Sequence, residues 1–322
     1  MGRIHWFLSG GGWRFSPGKR LLRNQRRRRR LNPVIAVGLF DGVHLGHQSL
    51  LQEAVRIGKR LSLPVEAVTF DGLETTKKIF LLNTPSDRIR LIRSLCHIET
   101  THLLPFVSSL KRTKGEDFFF DTLIGSYHAG HLVIGENFTF GSDRIGATEL
   151  LSLCNEVGIG CTVLPLTGDG EAISSTRIRD VLMAGQIEEA NKLLGHRHTL
   201  TGIVEHGRKI GRTLGFPTIN QAYPQNLIPM LRGVYLTYAY VDGSVPYPAI
   251  TNLGVHPTFG DGAPEVLETH LLTENLSLYG KEVTLEFLTF LRPELKFDSP
   301  NALKSQIDAD MLHASDYFSL SH

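Results

Sequence analysis

Short apolar segments alternate with amphipathic ones over residues 34–195, and this pattern predicts strands and helices in alternation. The predicted strands are Val34–Phe40, Pro64–Phe70, His102–Pro105, His131–Gly135 and Gly160–Leu164, and the predicted helices are His44–Arg60, Pro85–Leu95, Gly115–Tyr127 and Thr148–Val157. Such alternation is typical of a doubly wound parallel α/β sheet, whose ligands bind at the carboxyl ends of the strands.

The pattern changes after Gly195. Alternating apolar segments separated by Gly, Pro and Asp turns predict strands at Thr199–His206, Gly233–Val241, Tyr247–Leu253, Leu267–Leu272 and Glu282–Phe290. This favours a small antiparallel β-barrel, closed by a helix from Asn301 to about Ser315. We therefore expect one domain over 34–195 and a second over 199–317.

The first 33 residues form a separate, basic segment. Residues 1–30 hold ten of the 34 Lys and Arg residues and no Asp or Glu, which leaves the rest of the chain with 24 basic and 32 acidic residues. We expect a disordered extension. A nucleic-acid or membrane-surface arm, a transit peptide, and a later translation start are the alternatives.

The remaining composition is that of an ordinary globular protein, with 41% hydrophobic and 20% charged residues. No apolar run approaches the roughly 20 residues that span a bilayer, so no membrane span is expected. Cys96, Cys154 and Cys161 lack metal-binding spacing and are expected to be buried thiols in a reducing compartment, which predicts a cytoplasmic protein.

The first group of candidate site residues follows the first predicted strand. His44 and His47 lie at the start of a predicted helix, and Gly46 between them allows the backbone to approach a ligand closely. Helix N-termini bind phosphate, and two imidazoles one turn apart add donors for charge that develops on a nucleotide. The segment therefore predicts nucleotidyl transfer from a nucleoside triphosphate.

Two further segments of the same domain fit this interpretation. Ile173–Arg179 (ISSTRIR) places hydroxyls and two arginines at a predicted helix N-terminus, where they cap the helix or bind an anion. Gly135–Gly141 (GENFTFG) is either a surface turn or a loop that holds a base or ribose.

The second group of candidate residues lies in the β-rich half. The loop from His206 to Gly215 is rich in glycine and carries Arg208, Lys209 and Arg212, so it is either an ordinary hairpin or a phosphate-binding loop. Thr218 and Asn220 offer oxygen atoms of the kind that Mg²⁺ prefers. Glu268 is either a solvent-facing carboxylate or a general base for a substrate hydroxyl.

These segments together resemble the bacterial bifunctional riboflavin kinase/FAD synthetase family. The resemblance extends from about Val34 to Tyr317 and is carried by six motifs in order: Gly38–His47, Gly135–Gly141, Ile173–Arg179, Gly215–Asn220, Glu268–His270 and Phe290–Phe297. It implies an N-terminal FMN adenylyltransferase, which makes FAD and pyrophosphate from FMN and ATP, and a C-terminal riboflavin kinase, which makes FMN with a second ATP and Mg²⁺. FMN and FAD would be substrate and product, not prosthetic groups.

The resemblance also implies roles for individual residues. The catalytic residues would be His44, His47 and Glu268. ATP would bind the adenylyltransferase through Gly38, Phe40, Asp41, Gly42, His44, Gly46, His47, Ser175, Thr176 and Arg179. ATP would bind the kinase through Gly207, Lys209, Gly211, Gly215, Thr218 and Asn220, the last two holding Mg²⁺. The flavin would contact Asn137, Asn252 and Arg292.

The sequence departs from the family pattern at four places. This chain has Phe70-Asp-Gly-Leu73 where the family usually has Phe-x-Pro-His-Pro. It has Asn137, His256 and Ile219 where the family usually has Asp, often has Arg and usually has Ala, respectively. The first two lie in the adenylyltransferase half, so a chain that is a riboflavin kinase only is one alternative. A nucleic-acid-binding protein that acts through the arginine-rich extension is an alternative of another class.

Overall fold

The computed structural model describes residues 32–71, 80–165, 173–207, 215–243, 245–255, 265–273 and 276–320. The chain divides into two compact units. The first is drawn from Met1–Leu39, His47–Glu74 and Leu91–Leu166, and the second from Phe40–Gly46, Thr75–Arg90 and Thr167–His322.

The first unit contains a five-stranded parallel sheet, which confirms the predicted fold class. Its strands are β1 (Val34–Val37), β2 (Val65–Asp71), β3 (Thr100–Pro105), β4 (His131–Gly135) and β5 (Gly160–Leu164), in the order β3-β2-β1-β4-β5. The central strand β1 is wholly buried, as its continuous apolar sequence requires. The strand order reverses between β1 and β4, and ligands of doubly wound sheets bind at such a point.

The helices of the first half of the chain follow the predicted alternation. They are α1 (Leu45–Leu61), α2 (Pro85–Cys96), α3 (Ser108–Arg112), α4 (Gly115–Asp117), which continues as a π-helical segment (Phe118–Ser126), and α5 (Ala147–Val157). The short helix α3 was not predicted. Cys96 and Cys154 are buried as predicted, whereas Cys161 is half-buried.

The second unit contains a six-stranded antiparallel sheet, as predicted for a small barrel. Its strands are β6 (His198–Ile203), β7 (Ile219–Ala222), β8 (Gly233–Val241), β9 (Tyr247–Val255), β10 (Glu265–Leu271) and β11 (Glu282–Pro293), in the order β6-β11-β8-β9-β10-β7. The sheet curls until its two edges meet, because Glu205, just beyond β6, forms a β-bridge with Asn220 of β7. The closing helix α8 spans Pro300–Leu320 and is longer than predicted.

Two helices that precede the barrel share its hydrophobic core. These are α6 (Ser175–Met183) and α7 (Ile187–Leu194). Their buried side chains join one cluster with barrel residues such as Leu200 and Phe287. The predicted boundary after residue 195 therefore differs from the division of the structure, because the apolar faces of α6 and α7 are buried against the barrel.

A second, smaller cluster lies between the barrel and α8. Leu236 and Leu288 of the sheet pack there against Ala314 and Phe318 of the helix. The residues that the structure describes include no helix long and apolar enough to cross a membrane.

Candidate active sites

The segment that follows β1 is a tight turn with an unusual backbone. Phe40, Gly42 and Val43 all have positive φ angles, of 52°, 80° and 41°. A β-branched residue rarely adopts this conformation, and such strain persists only where surrounding contacts impose it. The Phe40–Gly46 turn, which presents His44, is therefore held in place by its neighbours.

Asp41 provides one of these contacts and is buried completely. Its carboxylate accepts a hydrogen bond from the amide of Leu82 at 2.9 Å and another from the guanidinium of Arg179. Burial raises the pKa of Asp41, while the nearby Arg88 and Arg179 act in the opposite direction. Asp41 thus anchors the turn from inside the protein, and its contact with ATP stays a prediction.

The N-terminus of α6 contacts the same turn. The Ser175 hydroxyl donates to the backbone oxygen of Asp41 at 3.0 Å, and Ser174 caps the helix by accepting from the amide of Arg177. Thr176 is exposed on the first turn of the helix. Helix geometry leaves the first amides without intrahelical acceptors, so this end favours an anion.

The Arg179 side chain contacts two other segments of the protein. Besides its ion pair with Asp41, its Nε donates to the backbone oxygen of Phe80 at 2.6 Å. The predicted anion-binding residues Ser175, Thr176 and Arg179 thus lie beside the Phe40–Gly46 turn. Arg179 also stabilises this turn through its ion pair with Asp41.

His44 is nearly buried and electrostatically disfavoured as a cation. Desolvation, together with the neighbouring His196 and Arg179, lowers its pKa to about 4. A neutral imidazole donates one hydrogen bond and carries no charge. A neutral His44 can therefore donate a hydrogen bond to a ligand oxygen atom, but other groups must neutralise negative charge on the ligand.

Close packing also explains Gly42. A Cβ atom at this position would lie 2.6 Å from Cδ1 of Leu82 and 3.3 Å from Cδ2 of Leu194. The positive φ and the absence of space both require glycine here.

Three other predicted residues, Gly38, His47 and Asn137, belong to the first unit. The amide of Gly38, directly after β1, donates a hydrogen bond to the backbone oxygen of Val68 at 3.1 Å. His47 is the third residue of α1 and is half-buried, like Gly46 before it. Asn137 is exposed in the loop after β4, next to the stacked rings of Phe138 and Phe140.

In the barrel, the predicted kinase residues are aligned by strand register. Direct pairing joins Asn220 to Glu268, Glu268 to Asn252, Asn252 to Val234, and Val234 to Arg292. Directly paired residues project from the same face and lie about 5 Å apart at Cα. These five residues, from β7, β10, β9, β8 and β11, form what we call the cross-strand row.

The row lies on the outer face of the barrel. Glu268 and Asn252 are half-buried, whereas their chain neighbours Thr251 and Thr269 are fully buried on the inner face. The inner hydroxyls bond to one another, Thr251 to Thr269 at 2.9 Å and Thr237 to Thr251 at 2.8 Å. Because a shift of one residue would turn Glu268 inward, this buried chain helps to fix the register of the row.

One end of the row has an oxygen suited to a cation. Among the described residues, Asn220 Oδ1 is buried and has no hydrogen-bond partner. A Cβ atom on Gly207 would lie 2.3 Å from Nδ2 of Asn220, so Gly207 permits the close approach of this strand end. Lys209 and Gly211, together with Arg208 and Arg212, lie outside the described residues.

Thr218 is placed beside the row by the segment that precedes β7. His270, two residues after Glu268, bonds through Nδ1 to the backbone oxygen of Pro217 at 2.8 Å. Its ring also packs edge-on against Phe216. Gly215, at φ 93°, begins this segment. The structure therefore brings Thr218, Asn220 and Glu268 to neighbouring positions.

Arg292, at the other end of the row, is engaged by α8. Its Nε and Nη2 bond to both carboxylate oxygens of Asp310, at 2.9 and 2.7 Å, and its Nη1 donates to the backbone of Pro293. A bidentate pair of this kind fixes the guanidinium plane. Arg292 therefore joins the closing helix to the sheet, a role that the sequence did not indicate.

Several residues important for these sites were not predicted. Leu82, His196 and Asp310 contact the predicted residues but lie 41, 154 and 18 positions away from their partners. The sequence contains no local signal for such pairings. His256 and the Gly72-Leu73 departure lie outside the described residues.

Family models match both halves of the chain. The model described as riboflavin kinase matches residues 194–318, and the model described as FAD synthetase matches residues 27–177.

Curated relatives match nearly the whole chain. A bifunctional riboflavin kinase/FMN adenylyltransferase of Escherichia coli is 32% identical over 295 residues, covering 89% of this chain and 93% of the relative. A protein of the same description from Bacillus subtilis is 35% identical, covering 89% and 92%. A solved structure from Streptococcus pneumoniae, described as a macrolide-efflux protein, is 31% identical with a TM-score of 0.76, covering 88% of this chain and 94% of that one.

Proposed function

Because the chain belongs to the bifunctional riboflavin kinase/FMN adenylyltransferase family, we propose that it converts riboflavin to FMN and FMN to FAD, with ATP as donor in both reactions. The observation that carries the kinase assignment is the cross-strand row, which aligns Asn220, Glu268 and Asn252 on adjacent strands.

In the kinase reaction, the terminal hydroxyl oxygen of the ribityl chain attacks the γ-phosphorus of ATP. The bond from this phosphorus to the bridging oxygen breaks, and ADP leaves. Glu268 accepts the hydroxyl proton, while Asn252 beside it orients the ribityl chain. Phosphoryl transfer depends mainly on positioning and charge neutralisation, and strands of fixed register supply the first.

Thr218 and Asn220 are the residues that would hold Mg²⁺ with the ATP phosphates. The Oδ1 of Asn220, which has no hydrogen-bond partner among the described residues, fits such an ion, because Mg²⁺ takes hard oxygen ligands and uses only one or two from the protein when phosphates supply others. When bound, the ion would withdraw negative charge from the transferred phosphoryl group.

In the adenylyl transfer, a phosphate oxygen of FMN attacks the α-phosphorus of ATP, and pyrophosphate leaves. We assign His44 and His47 as donors to the phosphate oxygens, because they flank the start of α1. The first turn of α6, with Ser175 and Thr176, would bind phosphate through its amides and the exposed hydroxyl. Asp41 and Arg179 hold the Phe40–Gly46 turn that carries His44, and Asn137 would contact the flavin.

A single assay tests the proposal and its kinase-only alternative. Purified protein is incubated with ATP, Mg²⁺ and riboflavin, and the flavins are separated by chromatography. FMN should form first and FAD later. In His44→Ala, the reaction should stop at FMN. Accumulation of FMN without FAD in the unmodified protein would support the kinase-only alternative, and formation of neither would contradict both.

The nucleic-acid alternative depends on residues 1–30, which lie outside the described residues, and no observation of the described ones favours it. A cytoplasmic location stays a prediction of the sequence.

A further inference from the structure

We propose that His196 is a positioning residue for adenylyl transfer, which holds the Phe40–Gly46 turn by donating a hydrogen bond from its Nε2 to the backbone oxygen of Gly42. This inference rests on the proposed role of His44 in that reaction. It adds a residue that none of the sequence motifs contains.

His196 occupies the short connection between α7 and β6. Gly195 ends α7 in a left-handed conformation with φ 72°, and β6 begins at His198. Nε2 of His196 lies 3.0 Å from the backbone oxygen of Gly42, and Nδ1 lies 2.8 Å from the backbone oxygen of Arg197. One half-buried ring therefore joins the turn to the first residues of the barrel.

Both partners of the ring are carbonyl oxygens, which only accept hydrogen bonds. A neutral imidazole has a single N–H and could donate to one of them, whereas the imidazolium donates to both. The bond to Gly42 therefore requires a proton on Nε2, and the bond to Arg197 requires one on Nδ1.

The hydrogen bond from His196 to Gly42 holds the part of the turn that determines the orientation of His44. It fixes the peptide between Gly42 and Val43, where the backbone has φ angles of 80° and 41° on either side. His44 is the next residue. A small rotation of this peptide would swing the His44 ring, and reacting groups tolerate little misplacement.

Charged and titratable groups surround the ring of His196. On the turn, the pKa of His44 is lowered to about 4, by burial first and then by His196 and Arg179. On β6, burial and His196 lower the pKa of the fully buried His198 to about 3. Arg179 of α6 is paired with Asp41, and Arg197 is paired with Glu286. Both ring nitrogens of His196 face backbone oxygens.

The test compares His196→Ala with His196→Gln. Alanine should lower kcat/KM for ATP in FAD formation roughly five- to thirty-fold, the effect of leaving the Gly42 carbonyl without its hydrogen bond. Glutamine should lose less, because its amide can donate to Gly42. FMN formation from riboflavin in the same preparations should stay unchanged, as should both activities of His313→Ala, an exposed histidine on α8.

Rescue by glutamine separates positioning from a merely structural role. FAD formation should be higher in His196→Gln than in His196→Ala, while the thermal midpoints of the two variants should be alike. In ¹⁵N-histidine spectra, the resonance that these variants remove should show a proton on the nitrogen that faces Gly42.

Two results would overturn the inference. These are unchanged FAD formation in His196→Ala and equal losses in the alanine and glutamine variants. His44→Ala distinguishes this failure from failure of the proposed function. If His44→Ala abolishes FAD formation while His196→Ala is normal, only the role of His196 is wrong.

Discussion

The Phe40–Gly46 turn and the cross-strand row present functional residues in opposite ways. On the turn, the polar side chains picked out by the sequence point largely into the protein: Asp41 is fully buried and Arg179 is paired with it. In the row, Asn220, Asn252 and Glu268 project from one face simply because their strands are paired in register.

The difference follows from the backbone. A strained turn is stable only when surrounding groups fix each peptide. Most polar side chains on and around such a turn therefore form contacts that stabilise its backbone. A sheet already fixes its geometry through the ladder of backbone hydrogen bonds, and its outward side chains are available for chemistry. Substitutions of Asp41 or Gly42 on the turn should therefore act through structure, and substitutions of Glu268 in the row should act through the reaction itself.

The largest expected effect is at Glu268. Glu268→Gln keeps the shape but removes the base, so kcat for FMN formation should fall by roughly 10²–10⁴-fold, the usual contribution of general base catalysis. The thermal midpoint and FAD formation from supplied FMN should be unchanged. The exposed Glu188 on α7 provides a matched control, since Glu188→Gln should leave both activities intact. A loss below tenfold at Glu268 would contradict its assignment as the base.

Gly42→Ala tests the opposite region. The added Cβ would meet Leu82 at 2.6 Å on a backbone with φ 80°, so the free energy of unfolding should fall by about 2–3 kcal/mol and FAD formation should weaken. Gly243→Ala is the control, because Gly243 has φ 73° but no atom within 4 Å of the added Cβ. Urea unfolding of both variants measures the difference. Equal losses would show that Leu82 moves aside and that the turn is not tightly held.

The smallest expected effect concerns the histidines beside the turn. The pKa of His198 is lowered from 6.5 to about 3, so between these values the unfolded chain binds the extra proton and the folded one does not. Acidification over that range should therefore reduce the free energy of unfolding by up to about 1.4 kcal/mol per pH unit. His198→Gln should remove this contribution. Urea unfolding at about pH 6.5 and pH 5 tests it, and identical pH slopes in both proteins would refute it.

Most of the fold could be predicted from the sequence, because its elements carry strong local patterns. The buried parallel strands appear as continuous apolar runs, and the barrel strands alternate. The missed elements are short or adjoin irregular segments: α3 has five residues, and β7 has four and follows Pro217. Helix α7 was also not predicted, although Ile187, Ala190, Leu193 and Leu194 give it a clear apolar face.

The sequence indicates candidate site residues but not the contacts that their side chains make. The motifs contain Asp41 and Arg292, but the contacts that determine what these side chains do come from Leu82 and Asp310. Such partners are selected by the folded chain and have no local sequence signal. The cross-strand row could not be predicted either, since it depends on the register of five strands.

The shared core of α6, α7 and the barrel has a consequence for experiments that recombine or truncate this protein. Ile178, Leu182 and Leu194 pack with Leu200 and Phe287 in one hydrophobic cluster, although the first three belong to the stretch assigned to the other enzyme. Cutting the chain between the two activities would expose this apolar surface to water. A transplanted segment 34–195 would need substitute packing for it, so this segment should be moved together with the barrel.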